Sequence, residues 1–137
     1  ALNVIPGEVE LGVDIRGIEI SSLDRIEREM RESARRICKK RGIEYLEVKT
    51  SEIPPIDMSE DVQNGLEMAA RRLGVNCRRM VSGAGHDAMS FAGICNTGMV
   101  FIPCVKGVSH NRMEFASITD ICEGARVMYE YLKEEAS

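Results

Sequence analysis

From Ser21 to Arg41 the apolar residues Leu23, Ile26, Met30, Ala34 and Ile37 recur at spacings of three and four, and the pattern stops at Gly42, directly behind Lys39, Lys40 and Arg41. That spacing winds the apolar side chains onto one stripe of an α-helix, with serines suited to its start and cations and a glycine suited to its end. On either side the period changes to two. Val9, Leu11, Val13 and Ile15 alternate with Glu10, Gly12, Asp14 and Arg16, and Ile43 to Lys49 reads as a returning strand that Pro54 and Pro55 end. The first strand is half-buried, and a helix between two strands hides its stripe against a sheet, so residues 8–50 are expected to form a strand-helix-strand unit of an α/β fold.

A second unit starts after the prolines. Asp57 and Glu60 stand at capping-box spacing ahead of a helix lined by Val62, Leu66, Ala69, Ala70 and Leu73 and closed by Gly74. Arg78 to Val81 is a short strand candidate that feeds the turn Ser82-Gly83-Ala84-Gly85, and Asp87 to Cys95 is expected to continue as a short helix. The unbroken run Met99-Val100-Phe101-Ile102, ended by Pro103, has the character of a strand covered on both faces in a parallel sheet. Ser117 with Asp120 opens a last helix, striped by Ile118, Ile121, Cys122, Ala125, Met128, Tyr129 and Leu132. The expected architecture is α/β in two lobes, residues 1–55 and residues 56–137.

At 137 residues the chain is one domain's worth of material, able to bury about two-thirds of the surface its unfolded form exposes. Charged residues make up 29% and the net charge is −4. Both signs are interspersed rather than blocked, which argues against a nucleic-acid partner and for small molecules or proteins. No apolar run approaches membrane-spanning length and no signal-peptide pattern opens the chain, so no membrane partner is expected. The five cysteines (Cys38, Cys77, Cys95, Cys104, Cys122) are odd in number and never form a C-x-x-C pair. They read as reduced, mostly buried thiols of a cytoplasmic protein, with no zinc knuckle.

Both histidines follow glycine-rich segments behind predicted strands: His86 closes the turn that begins at Ser82, and His110 follows Gly107-Val108-Ser109. In parallel α/β sheets ligands gather at the carboxyl ends of strands. A glycine turn running into a helix offers backbone N–H groups to an anion, and an imidazole in such a loop is a natural metal ligand. The turn is not a P-loop, because the Lys-Ser/Thr that would hold phosphate and magnesium is missing. It reads equally as an ordinary tight connection, with His86 bonded to backbone and Asp87 as a helix-start carboxylate. His110, beside Ser109, has little packing reason to stand where it does. Arg16 could grip a carboxylate through two parallel hydrogen bonds, or pair with an acid across the sheet. Asn3, ahead of Val4-Ile5-Pro6-Gly7, reads as a turn residue.

Taken in order, Asn3-Val4-Ile5-Pro6-Gly7, Asp14-Ile15-Arg16, Ser82-Gly83-Ala84-Gly85-His86-Asp87-Ala88, Met99-Val100-Phe101-Ile102-Pro103 and Gly107-Val108-Ser109-His110-Asn111 with Glu114 resemble the N-carbamoyl-L-amino-acid hydrolases. Allantoate amidohydrolases and β-ureidopropionases share the pattern, within the wider aminoacylase and carboxypeptidase-like metallopeptidases. The resemblance covers nearly the whole chain. It implies a catalytic domain with two divalent metal ions, zinc or manganese, and an inserted lid domain that mediates dimerisation. Residues 1–55 would then be half of the lid, and residues 56–137 the C-terminal part of the catalytic domain.

His110 matches the family's last metal-ligand histidine. Asn3 and Arg16 match lid residues that reach the partner subunit's site and bind the substrate's amide and carboxylate. Gly83, Ala84 and Gly85 match a substrate-facing loop beside the metals, and His86 and Ser109 are assigned to substrate binding with them. Cys104 and Arg112 depart from the family, standing where serine and proline are common. A two-metal site needs about three ligands per ion, a bridging carboxylate and a general-base glutamate, and the family supplies most of these from a region upstream of Asn3. The chain is therefore expected to be the C-terminal portion of a metal amidohydrolase acting on N-carbamoyl amino acids or allantoate-like ureido compounds. It would carry no catalytic residue, bind no metal tightly and be inactive alone, with a small-molecule substrate in the complete enzyme and homodimeric or higher self-association. The alternatives are a noncatalytic dimerisation or folding module of a split enzyme, and part of an aminoacylase or peptidase.

Overall fold

The computed structural model describes residues 3–136. The chain divides into two compact units, Ala1–Pro55 and Ile56–Ser137. Among the described residues the elements are α1 (Ile20–Arg41), α2 (Glu60–Arg72), α3 (Ala88–Phe91), a 3-10 turn (Val105–Gly107) and α4 (Ile118–Glu135).

In the first unit α1 stands where its stripe requires. Gly42 takes a left-handed φ of 66°, its N–H donates to the Lys39 carbonyl at 3.4 Å, and the Ile43 N–H donates to that of Cys38 at 3.0 Å. This double closure satisfies the last carbonyls and needs the conformation glycine adopts without steric cost. Beside the stripe, Arg31 pairs with Glu47 at 2.8 Å and Lys49 with Glu27 at 3.3 Å. The Tyr45 hydroxyl donates to Glu47 at 2.7 Å, a bond that raises the phenol's pKa. Tyr45, Glu47 and Lys49 thus face one way, while Leu46 and Val48 on the other parity are exposed.

No strand forms among the described residues, whose regular elements are all helical, so the strands of the expected α/β class are not formed there. Residues 9–16, 43–49, 78–81 and 99–102, the predicted strands, run without a ladder. Alternation belongs to one segment, but a ladder requires a second backbone at hydrogen-bonding distance and in register.

In the second unit α2 and α4 pack on each other, with Ala69, Ala70 and Val127 at the contact and Leu66, Leu73, Val75 and Tyr131 around them. Ser59, not Asp57, caps α2: its side chain accepts the Val62 N–H. A cap must stand immediately before the first helical residue, here Glu60, and Asp57 lies too far upstream. At the far end Gly74 and Val75 repeat the closure of α1, donating to Arg71 at 3.1 Å and Ala70 at 2.9 Å. Ser117 caps α4 as expected, accepting the Asp120 N–H at 3.1 Å.

The apolar run lies across this helix pair. A Cβ on Gly98 would come within 2.5 Å of Val62, and one on Gly124 within 2.6 Å of Ile102, so both glycines are seats for close approach. The Ser59 N–H donates to the Thr97 carbonyl at 2.9 Å. Only one face is covered, contrary to expectation, since Phe101 on the opposite parity is 45% exposed. The helix expected over Asp87–Cys95 shrinks to the single turn α3, which lacks a side-chain cap at its start. The cysteines are free as expected but not mostly buried: Cys77, Cys95 and Cys122 are exposed, and Cys38 and Cys104 half-buried. They fall outside the small set of buried positions.

Candidate functional site

The glycine turn is anchored from behind. Arg79 donates to Glu67 at 3.0 Å and to Asn64 at 2.6 Å, both on α2, fixing the segment that feeds the turn. The Arg79 hydrogen bond holds the Glu67 carboxyl below the usual carboxylate range. Within the turn, Ser82 Oγ accepts the Ala84 N–H at 3.2 Å and lies 2.7 Å from His86 Nε2. The imidazole also meets the Phe101 ring edge-on, with centroids 5.5 Å apart and planes at 68°. Ser82, Ala84 and His86 are half-buried, and Gly83 and Gly85 exposed. Of the two readings of the turn, the ordinary tight connection accounts for these contacts: the Ala84 N–H is engaged by Ser82, and the four residues of α3 are too few for a useful helix dipole.

The second loop is closed at its base by the Val105 N–H donating to the Phe115 carbonyl at 2.8 Å. His110 sits in it at φ 53°, a left-handed conformation that costs a non-glycine residue roughly 1–2 kcal/mol. Local bonds hold it there. The His110 N–H donates to Glu114 Oε2 at 2.9 Å, the Met113 N–H to Asn111 Oδ1 at 2.9 Å, and the Glu114 N–H to the Asn111 carbonyl at 2.9 Å. Ser109 and His110 are both exposed.

In the first unit Asn3 is exposed in a turn. Arg16 grips a carboxylate, but that of Asp14, with Nε 3.0 Å from both oxygens and Nη2 2.7 Å from Oδ2. The hydrogen bonds from Arg16 hold Asp14 below the usual carboxylate range, and Asp14 raises Arg16 in turn. Both side chains are exposed.

The structure thus joins the turn to the apolar run through His86 and Phe101, while His86 and His110 share no hydrogen bond among the described residues. Ser82, Phe101, Arg79 and Glu114 support the site without having been singled out as site residues. The serine four residues before His86 and the glutamate four residues after His110 were the available signal. Among the described residues no three His, Cys, Asp or Glu side chains lie together to hold a metal ion. These residues do not by themselves fit a two-metal centre, which needs about three ligands per ion. No helix among them is long and apolar enough to cross a membrane.

The family described as Peptidase family M20/M25/M40 matches residues 4–134. An N-carbamoyl-L-amino-acid amidohydrolase of Pseudomonas sp. (strain NS671) is 40% identical over 128 residues, 93% of this chain and 31% of that protein. An allantoate amidohydrolase of Escherichia coli (strain K12) is 33% identical over 127 residues, again 93% of this chain and 31% of that protein. Among solved structures, an amidase of the hydantoinase/carbamoylase family from Burkholderia multivorans superposes with a TM-score of 0.78 at 33% identity, covering 85% of this chain and 28% of that one. The chain spans about a third of the length of the curated relatives it matches.

Proposed function

The chain belongs to peptidase family M20/M25/M40, and on that footing we propose that it is part of a hydrolase cleaving C–N bonds of N-carbamoyl amino acids or related ureido compounds. The observation that carries this reading is the 40% identity to an N-carbamoyl-L-amino-acid amidohydrolase, sustained over 93% of the chain. The substrate class follows from that relative's activity, and the chain's own residues have the chemistry to bind it. Arg16 presents a guanidinium suited to the substrate carboxylate, and Asn3 an amide suited to its ureido group. The turn at Gly83, Ala84 and Gly85, with His86 and Ser109, would line the substrate's path. His110 would contribute one donor to a pair of zinc or manganese ions in the complete protein. The other donors and the general base would come from outside the described residues, leaving this chain inactive alone.

In the same reading residues 1–55 are half of a lid that pairs two subunits, and residues 56–137 close the catalytic domain. Their alternating segments would find ladder partners in the rest of the protein. Ammonia release from N-carbamoyl amino acids and from allantoate, with manganese or zinc supplied, tests the proposal. Turnover is expected from the protein at the length of its relatives and not from the 137-residue chain. Turnover by the short chain near the ~10 per second of ordinary enzymes, or a longer protein that cleaves only acyl or peptide bonds, would overturn it.

A further inference from the structure

We propose that Ser82 is a positioning residue that sets the tautomer of His86, making Nδ1–H the donor that the glycine turn offers to a substrate oxygen. The last clause rests on the reading that this turn faces substrate; the tautomer itself does not. A hydroxyl has one proton and two lone pairs. At Ser82 one lone pair already takes the Ala84 N–H at 3.2 Å, and the His86 ring nitrogen Nε2 is 2.7 Å from the same oxygen. If the hydroxyl proton points at Nε2, every polar group of the trio is used: Ala84 donates, Ser82 accepts and donates, and Nε2 accepts. If Nε2 instead carried the proton, two donors would converge on one oxygen. The Ser82 proton would then need another acceptor, and Ser82 Oγ has no other hydrogen-bond partner among the described residues.

A neutral imidazole that accepts at Nε2 carries its proton on Nδ1. Nδ1 takes no hydrogen bond among the described residues, so its N–H remains as the turn's donor. The ring is held at two points, by Ser82 at Nε2 and by the edge-on Phe101 ring. That is the arrangement by which second partners fix the orientation of a functional histidine.

Long-range proton–nitrogen NMR on the 137-residue chain, labelled with 15N-histidine, reads the tautomer directly. The measurement is made near pH 8, above the ordinary histidine pKa of about 6.5. The chain has two histidines, so His110→Gln assigns the spectrum. The expected result is a pyridine-type Nε2 and a protonated Nδ1 at His86, a preference that falls about tenfold in Ser82→Ala and is kept in Ser82→Thr. A protonated Nε2 in the unchanged chain, or an unaltered tautomer in a folded Ser82→Ala, would overturn the inference. Should Ser82→Ala fail to fold, the unchanged chain and Ser82→Thr still decide it. The substrate reading fails separately: His86→Gln leaving kcat/KM for ureido substrates within about twofold in the longer protein removes that role and leaves the tautomer standing.

Discussion

His110 and Arg16 are each held by a carboxylate close in sequence, but in opposite ways. Glu114 takes the backbone N–H of His110 and does not engage the imidazole, whereas Asp14 occupies the guanidinium of Arg16 itself. On the proposed role, a substrate carboxylate would have to share Arg16 with Asp14 or displace it. In the longer protein Arg16→Ala should lower kcat/KM for carboxylate-bearing substrates about ten- to a hundredfold, the loss of a charge-assisted contact worth roughly 1.5–3 kcal/mol. Metal content should stay unchanged. His110→Ala should do the reverse, lowering bound metal in elemental analysis; an Arg16 variant that loses metal beside a His110 variant that keeps it would reject both assignments. The two histidines were legible because each follows glycines behind a predicted strand. Their supports were not: Ser82 and Glu114 reach a residue four positions away only because the chain reverses there, and no periodicity encodes that reversal.

Helix ends are written locally, and at the end of α1 and the start of α4 they could be read, whereas the helix expected over Asp87–Cys95 could not. A glycine behind a run of cations ends α1, and a serine three residues before an aspartate starts α4, because caps act within one turn. Asp57 competed with Ser59 for the start of α2, and only the backbone geometry separates two such neighbours. Strands are another matter. The parity of Tyr45, Glu47 and Lys49, and of Gly98, Val100 and Ile102, is visible in the contacts, yet pairing depends on backbone elsewhere. The seats of the apolar run are equally nonlocal, and one of them can be tested. Gly98→Ala would drive a methyl to 2.5 Å from Val62 Cγ1, on a β-branched side chain with few rotamers to retreat into. A destabilisation of about 1–3 kcal/mol is expected in thermal melts. Gly93→Ala, with nothing within 4 Å, should change stability by less than about 0.5 kcal/mol. Equal effects at the two positions would mean that the run is not seated on α2.

Among the described residues the carboxyls and cations with shifted pKa values lie at the surface. The carboxyls of Asp14, Glu52 and Glu67 are lowered by hydrogen bonds from Arg16, Lys49 and Arg79, so their stabilisation is present above the unfolded-state value and lost as pH falls through the depressed one. Lys49 is raised by Glu52, Tyr45 by Glu47 and Tyr131 by its burial, and these contributions are lost as pH rises through the elevated values. The melting temperature should therefore be level between about pH 5 and 9 and decline on both sides. Added salt of about 0.5 M should flatten the acid limb, since exposed pairs are screened. A steep change near pH 7 would contradict this.

The apolar surface makes a second demand. Leu11, Leu46 and Ile94 are each more than 80% exposed, 81%, 86% and 81% respectively. Each unit thus carries apolar side chains that a second copy of the chain could cover. Light scattering at tens of micromolar should show dimers or larger species, and a monodisperse monomer would refute that expectation. The closed base of the second loop has a different bearing, on how such a protein can change. With Val105 and Phe115 clasped to each other, the stretch between them is a cassette. Residues can be gained, lost or exchanged there without asking anything of α2 or α4, so a lineage could retune what meets His110 while inheriting its helices unaltered.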